Sequence, residues 1–176
     1  MATFGNRVIE KVGSRYSVSA EGQPKSKVAG VSIAWATVTA AGADAVVLPS
    51  YGSTVNTSFS DYNQGADSYV EAGEKYLRLG TVLCRISGGT YAGKFAPYGT
   101  AGGSLGGGTL LKTKGNMYIL DRTVFEKDSG SDHYPVIEGG RIWKARVVGF
   151  AGSADTAAGP TTAEFEAAFP TCLYVE

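Results

Sequence analysis

Residues 68–99 read SYVEAGEKYLRLGTVLCRISGGTYAGKFAPYG. Tyr76 and Arg78 alternate with Leu77 and Leu79, the run from Thr81 to Ile86 alternates again, and each apolar run is closed by glycine. Successive side chains of a strand point to opposite faces, so a period of two ended by glycine describes consecutive antiparallel strands. Further runs follow at Thr109–Lys112, Asn116–Phe125, Pro135–Ile137 and Arg141–Val148. Glycines at Gly88-Gly89, Gly102-Gly103, Gly106-Gly107-Gly108, Gly115 and Gly139-Gly140 punctuate them at short intervals, which is turn chemistry. The rhythm predicts a mostly β protein, a small antiparallel β-barrel or sandwich.

Composition agrees. The chain has 16 Val, 15 Thr and 19 aromatic residues against 9 Leu, which favours pleated surfaces over helices. The 176 residues carry 16 Lys plus Arg and 16 Asp plus Glu. Zero net charge argues against a partner recognised by long-range attraction to phosphate, so neither nucleic acid nor an anionic membrane is expected. The longest uncharged stretch, Val28–Ala43, is too short and too rich in small polar residues to span a bilayer. The start, MATFGNRVIEKVG, lacks a basic segment followed by an apolar one, so no secretion signal is expected. Two cysteines are too few for a disulfide framework, and Cys84 and Cys172 read as buried thiols of a protein made in a reducing compartment.

Outward from the central strands, the pattern changes. Asn6–Val12 and Tyr16–Ala20 read as short strands around a Gly13-Ser14 turn, and the polar stretch Glu21–Lys27 reads as a link to the next unit. Residues 1–27 are therefore an N-terminal extended arm and linker, and 28–176 a β-rich domain. In VAGVSIAWATVT, from Val28, the large residues Val31, Ile33 and Trp35 alternate with smaller ones, which predicts a half-buried strand. Residues 50–66 have no period and read as a long loop. Near the end, Thr161 with Glu164 forms a capping-box pattern, Phe165, Ala168 and Phe169 share a helical face, and Pro170 stops the run. One short C-terminal helix is expected there, after a flexible connection at Gly152–Pro160 and before a closing strand at Thr171–Val175.

Catalysis needs convergent titratable groups, and few are offered. The single histidine, His133, lies in a polar turn near Asp128, Ser129, Ser131 and Asp132, without a nucleophile-elbow sequence, so a surface loop histidine is the better reading. One His and two distant Cys do not make a structural zinc site. Gly88–Lys94 fits GxxxxGK, but Phe95 stands where a phosphate loop has Ser or Thr, and strands flank it on both sides, which predicts a hairpin turn. The Gly102–Gly106 cluster lacks the strand-loop-helix setting of a dinucleotide site. The acidic stretches Asp61–Asp67 and Asp128–Asp132 depart from calcium-loop spacing and read as solvated turns. No cofactor, metal or catalytic residue is assigned, and the chain does not read as an enzyme. Tyr51, Phe59, Tyr62, Tyr69, Tyr91, Tyr98 and Tyr134 fall in or beside loops, either packed beneath them or presented to a partner.

Gly80-Thr81-Val82-Leu83-Cys84-Arg85-Ile86, followed by Gly93-Lys94-Phe95-Ala96-Pro97-Tyr98, resembles the head-decoration (cement) proteins of tailed bacteriophages, the group typified by the lambda head decoration protein. Gly106–Leu111 and Val136-Ile137-Glu138-Gly139-Gly140-Arg141-Ile142 occupy the later places of that family's pattern in order. The resemblance covers about residues 68–148. Residues 1–66 and the tail from about 151 have no counterpart, and Asp128–Asp132 looks like an insertion. The resemblance implies a β-rich virion protein, made in the host cytoplasm, that sits as a homotrimer on the outer capsid surface, binds the major capsid protein and strengthens the shell. Such a role needs many shallow contacts repeated by symmetry rather than an active site.

The arm suggests how attachment would work. Val8, Ile9, Tyr16 and Val18 are the candidate capsid-contact residues of an added strand on an edge of the capsid protein. A receptor- or glycan-binding β-module of a fibre or adhesin is the alternative, since it too would have loop tyrosines and low charge.

Overall fold

The computed structural model describes residues 25–26, 29–38, 46–48, 68–70, 75–77, 80–122, 124–126, 133–143, 147 and 159–175. The strands expected at Asn6–Val12 and Tyr16–Ala20, the contact candidates Val8, Ile9, Tyr16 and Val18, and the loop at 50–66 lie outside them. In chain order the strands are β1 (Lys25–Ser26), β2 (Val46–Leu48), β3 (Ser68–Val70), β4 (Tyr76–Leu77), β5 (Val82–Ile86), β6 (Phe95–Pro97), β7 (Leu110–Leu111), β8 (Met117–Leu120), β9 (Val124–Phe125), β10 (Val136–Trp143) and β11 (Cys172–Val175). Among the described residues one α-helix, α1 (Thr162–Ala168), precedes β11. The protein is mostly β with one short C-terminal helix, as its composition and capping box predict.

Seven strands make one sheet, with the path β1-β10-β8-β5-β6, β7 beside β5 and β11 beside β10. The pairs β2–β3 and β4–β9 are separate and antiparallel. The path does not close on itself, so of the two expected architectures the arrangement is sandwich-like rather than a barrel. Among the described strands every pairing is antiparallel except β10–β11, where α1 lies in the crossover that parallel neighbours need.

Side-chain alternation explains how the sheet is covered on both sides. Val82 and Cys84 of β5, Met117 and Ile119 of β8, and Ile137 of β10 join Phe165, Ala168 and Phe169 of the helical segment in one core cluster. Their neighbours Leu83, Tyr118, Leu120 and Val136 join Val31, Ile33, Trp35, Val38 and Phe95 in a second. The central strands are therefore buried on both faces, not half-buried as in an open antiparallel sheet. Each such large apolar side chain contributes roughly 1.5–3 kcal/mol by leaving water.

Three local expectations are corrected. Val31 and Ile33 each make only an isolated bridge, to Tyr134 and Phe95, and the chain then coils into a 3-10 turn at Trp35–Thr37. The expected strand is thus a crossing segment that is anchored rather than paired. Trp35 Nε1 donates to the Tyr134 hydroxyl at 3.0 Å, with the two rings edge to face. Second, Gly139-Gly140 do not separate two strands but lie within β10. Gly140 has φ +113°, a conformation open to glycine, at the point where β10 leaves its β8 and β1 partners for β11. Third, Lys25-Ser26, expected in the linker, pair with Gly139 and Ile137 at the sheet edge, a place where a polar strand with lysine is well tolerated.

Both cysteines are free and buried. Burial pushes the Cys84 thiol up to about 12 and the Cys172 thiol up to about 11. Because the thiolate is the reacting species, a thiol-disulfide exchange reagent at neutral pH is expected to label neither cysteine until the protein is unfolded. Rapid labelling of the native protein would contradict this burial.

Candidate functional site

The residues that carried candidate chemistry fall apart in space or become scaffold. His133 is exposed at the approach to β10, while the next residue, Tyr134, is 4% exposed and backbone-bonded to Val31 in both directions. Its sequence neighbours Asp128–Asp132 and the acidic stretch Asp61–Asp67 lie outside the described residues. Among the described residues no group of three His, Cys, Asp or Glu could hold a metal ion, and no helix is long and apolar enough to cross a membrane. Gly88–Lys94 turns β5 into β6, as its flanks predict. Gly93 N–H donates to Ile86 O at 2.9 Å, Ile86 N–H donates to Lys94 O at 2.8 Å, and a strand follows the lysine. The loop-tyrosine question resolves toward packing where side chains are described: Tyr98 and Tyr134 are core residues, and Tyr91 is partly buried against Leu105 and Ile86.

One polar cluster ties the helix to the sheet. Glu164 closes the capping box, accepting from Thr161 N–H at 2.9 Å and from Thr161 Oγ1 at 2.7 Å, and it also accepts from the Tyr98 hydroxyl at 2.8 Å. Lys112 Nζ lies 3.7 Å above the centre of the Tyr98 ring, a cation–π contact. The Thr161 hydroxyl and N–H, then Tyr98, hold the Glu164 carboxyl down at about 2. Burial, with the hydrogen bond to Glu164 behind it, raises the Tyr98 phenol to about 12. Glu164 and Tyr98 fasten rather than react: the carboxylate stays charged and the phenol neutral over the whole neutral range. The capping box was legible, but Tyr98 is 66 residues from Glu164 and no local pattern marks that bond.

The sign of the pH effect follows. A carboxyl held below its ordinary value of 4.5 stabilises the fold fully above that value, and the contribution is lost as pH falls from 4.5 toward about 2. Unfolding midpoints measured across this window are expected to fall with pH in the wild type and to fall less steeply in Glu164→Gln. Parallel profiles would contradict the assignment.

An exposed crest is formed by two glycine-rich connections beyond the end of β5. Thr90 N–H donates to Gly106 O at 3.0 Å, joining the 3-10 turn Gly89–Tyr91 to the connection that holds the turn Gly102–Ser104. Leu105, 2% exposed, plugs the crest into a cluster with Ala34, Ile86 and Ala96. Outward stand Thr90, Ala92, Gly93 and residues 101–104, all exposed, and a side chain added at Gly93, Gly102, Gly103 or Gly107 would meet nothing within 4 Å. Such small residues lose little rotamer freedom when covered. The crest therefore offers a contact surface with a low ordering cost.

No known family pattern matches the chain, and no curated protein or solved structure is similar to it.

Proposed function

We propose that the chain is a structural decoration protein that binds the outer surface of a phage head through the major capsid protein, as a homotrimer, and stabilises the shell. The observation that carries this reading is the placement of the family-like phrases. Residues 80–86, 93–98, 106–111 and 136–142 contain β5, β6, β7 and most of β10, all strands of one sheet, together with parts of the turns that join them. A body buried on both faces of that sheet is rigid, and its crest of small residues suits contacts repeated by symmetry. Avidity would then make weak individual contacts sufficient. In this reading the N-terminal arm, with Val8, Ile9, Tyr16 and Val18, adds a strand to an edge of the capsid protein.

Co-sedimentation with isolated phage heads tests both parts. Full-length protein is expected to pellet with heads and to raise the temperature at which they release their genome, while protein lacking residues 1–20 pellets much less. Undiminished binding by the truncated protein would overturn the arm mechanism. Absence of any head binding, together with binding on a glycan array, would favour the receptor-binding alternative.

A further inference from the structure

The two faces of the sheet are covered by different parts of the chain. Phe165 and Phe169 belong to one buried cluster, whereas Trp35, Val38, Leu77 and Val124 belong to the other, with Leu83 and Leu120 of the sheet. The β4–β9 pair forms no ladder with the seven-stranded sheet, so its place over the second face depends on packing and on the chain it continues. Lys75 joins this pair to the crossing segment. Its Nζ donates to Trp35 O at 3.1 Å and lies 3.5 Å from Glu126 Oε1, and its own carbonyl accepts from Glu126 N–H at 2.9 Å. Stretches far apart in sequence, at Trp35, Lys75 and Glu126, thus meet at one residue. The ion pair is partly exposed, at 27% and 45%, and such pairs contribute little alone. The bond to Trp35 O is charge-assisted and stronger. Val38 N–H donates to the same carbonyl at 3.1 Å, so Lys75 fastens the 3-10 turn at the bond that closes it.

We propose that Lys75 is the clasp of a strap: the segment at 31–38 and the β4–β9 pair open from the second face as one unit, while α1 keeps the first face closed. Folded chains open in parts, and each part is set by the contacts that must break together. The backbone bonds described between this segment and its neighbours are Val31 with Tyr134 in both directions, Ala34 N–H to Phe95 O and Phe95 N–H to Ser32 O. By contrast β5 has β8 on one edge and β6 on the other. The bonds that fasten α1 run from Glu164 to Thr161 and Tyr98 instead. An open strap bares Leu83, Leu120 and Val136, each 0% exposed in the closed fold, without unfolding the sheet. This device is independent of the function proposed above.

Native-state hydrogen exchange of the full chain, followed residue by residue by NMR, tests it. In the wild type the amides of Val31, Ala34, Val38 and Glu126 are expected to share one opening free energy, lower than that of Arg85 and Leu120 in the central strands, and to merge with it only near global unfolding in denaturant. Lys75→Met keeps the apolar stem and removes the donor. It is expected to speed the strap amides ~10-fold and to leave those of Phe165, Phe169 and Cys172 within ~2-fold of wild type. Glu164→Gln is expected to do the reverse. The wild-type measurement decides without any variant, because strap and central-strand amides that exchange alike at every denaturant concentration overturn the strap. A Lys75→Met protein whose strap amides are unchanged, or whose strap and α1 amides quicken equally, overturns the clasp. Strap amides that quicken in Glu164→Gln as much as those of α1 overturn the independence of the two faces.

Discussion

Phe165→Ala is expected to lower the free energy of unfolding by about 3–5 kcal/mol, the range for removing a buried aromatic ring and leaving its cavity. Phe165 is 0% exposed and its ring centre lies 4.7 Å from that of Phe169, itself 1% exposed. The pair lies in one cluster with Val82, Cys84, Met117, Ile119 and Ile137, so α1 and its cap residue pack on one face of the sheet chiefly through these two rings. A helix of two turns has little stability of its own. Losing the ring therefore also undocks the capping box and the Tyr98–Glu164 bond. Against a total stability of roughly 5–15 kcal/mol, the variant should unfold at a much lower denaturant concentration. A loss below about 1 kcal/mol would mean that α1 is not part of the core.

The second large effect is expected at Gly89. Its φ of +71° costs a residue with a Cβ about 1–2 kcal/mol, and a Cβ there would also collide with Gly106 O and lie 2.8 Å from Gly108 N. Those atoms belong to the backbone of the neighbouring turn, which cannot yield as a side-chain tip can, and overpacking adds about 1–3 kcal/mol. Gly89→Ala is therefore expected to cost about 2–5 kcal/mol in total. Gly93→Ala separates the two causes, because Gly93 has φ +81° but open space around it, and about 1–2 kcal/mol is expected there. Gly103→Ala, with neither constraint, should fall within about 0.5 kcal/mol of wild type. Equal losses at Gly89 and Gly103, measured by denaturant unfolding, would contradict the close contact of the two crest turns.

These two sites also show what the sequence could express. The helix was legible because its signals are local: Thr161, Glu164, Phe165 and Pro170 lie within ten residues and each acts on the same two turns. The strand rhythm at 76–98 was legible for the same reason. What was hidden depends on distant partners. Leu83 and Tyr118 are buried on the second face of the sheet because the segment at Val31–Val38 packs there, and nothing in β5 announces it. Gly139-Gly140 resemble every other glycine pair in the chain, yet β11, thirty residues later, holds them in one bent strand. Lys25-Ser26 are polar and turn-like by composition, and pairing with β10 overrides that preference. The crest glycines are legible as turns, while the contact between the two turns depends on the bond from Thr90 N–H to Gly106 O, sixteen residues apart.

Attachment to a capsid is tested by imaging phage heads after incubation with the purified protein. Added density is expected on the outer surface, in threes at the quasi-threefold positions, with the crest and the N-terminal arm toward the shell. Bare heads beside free protein in the same preparation would contradict it.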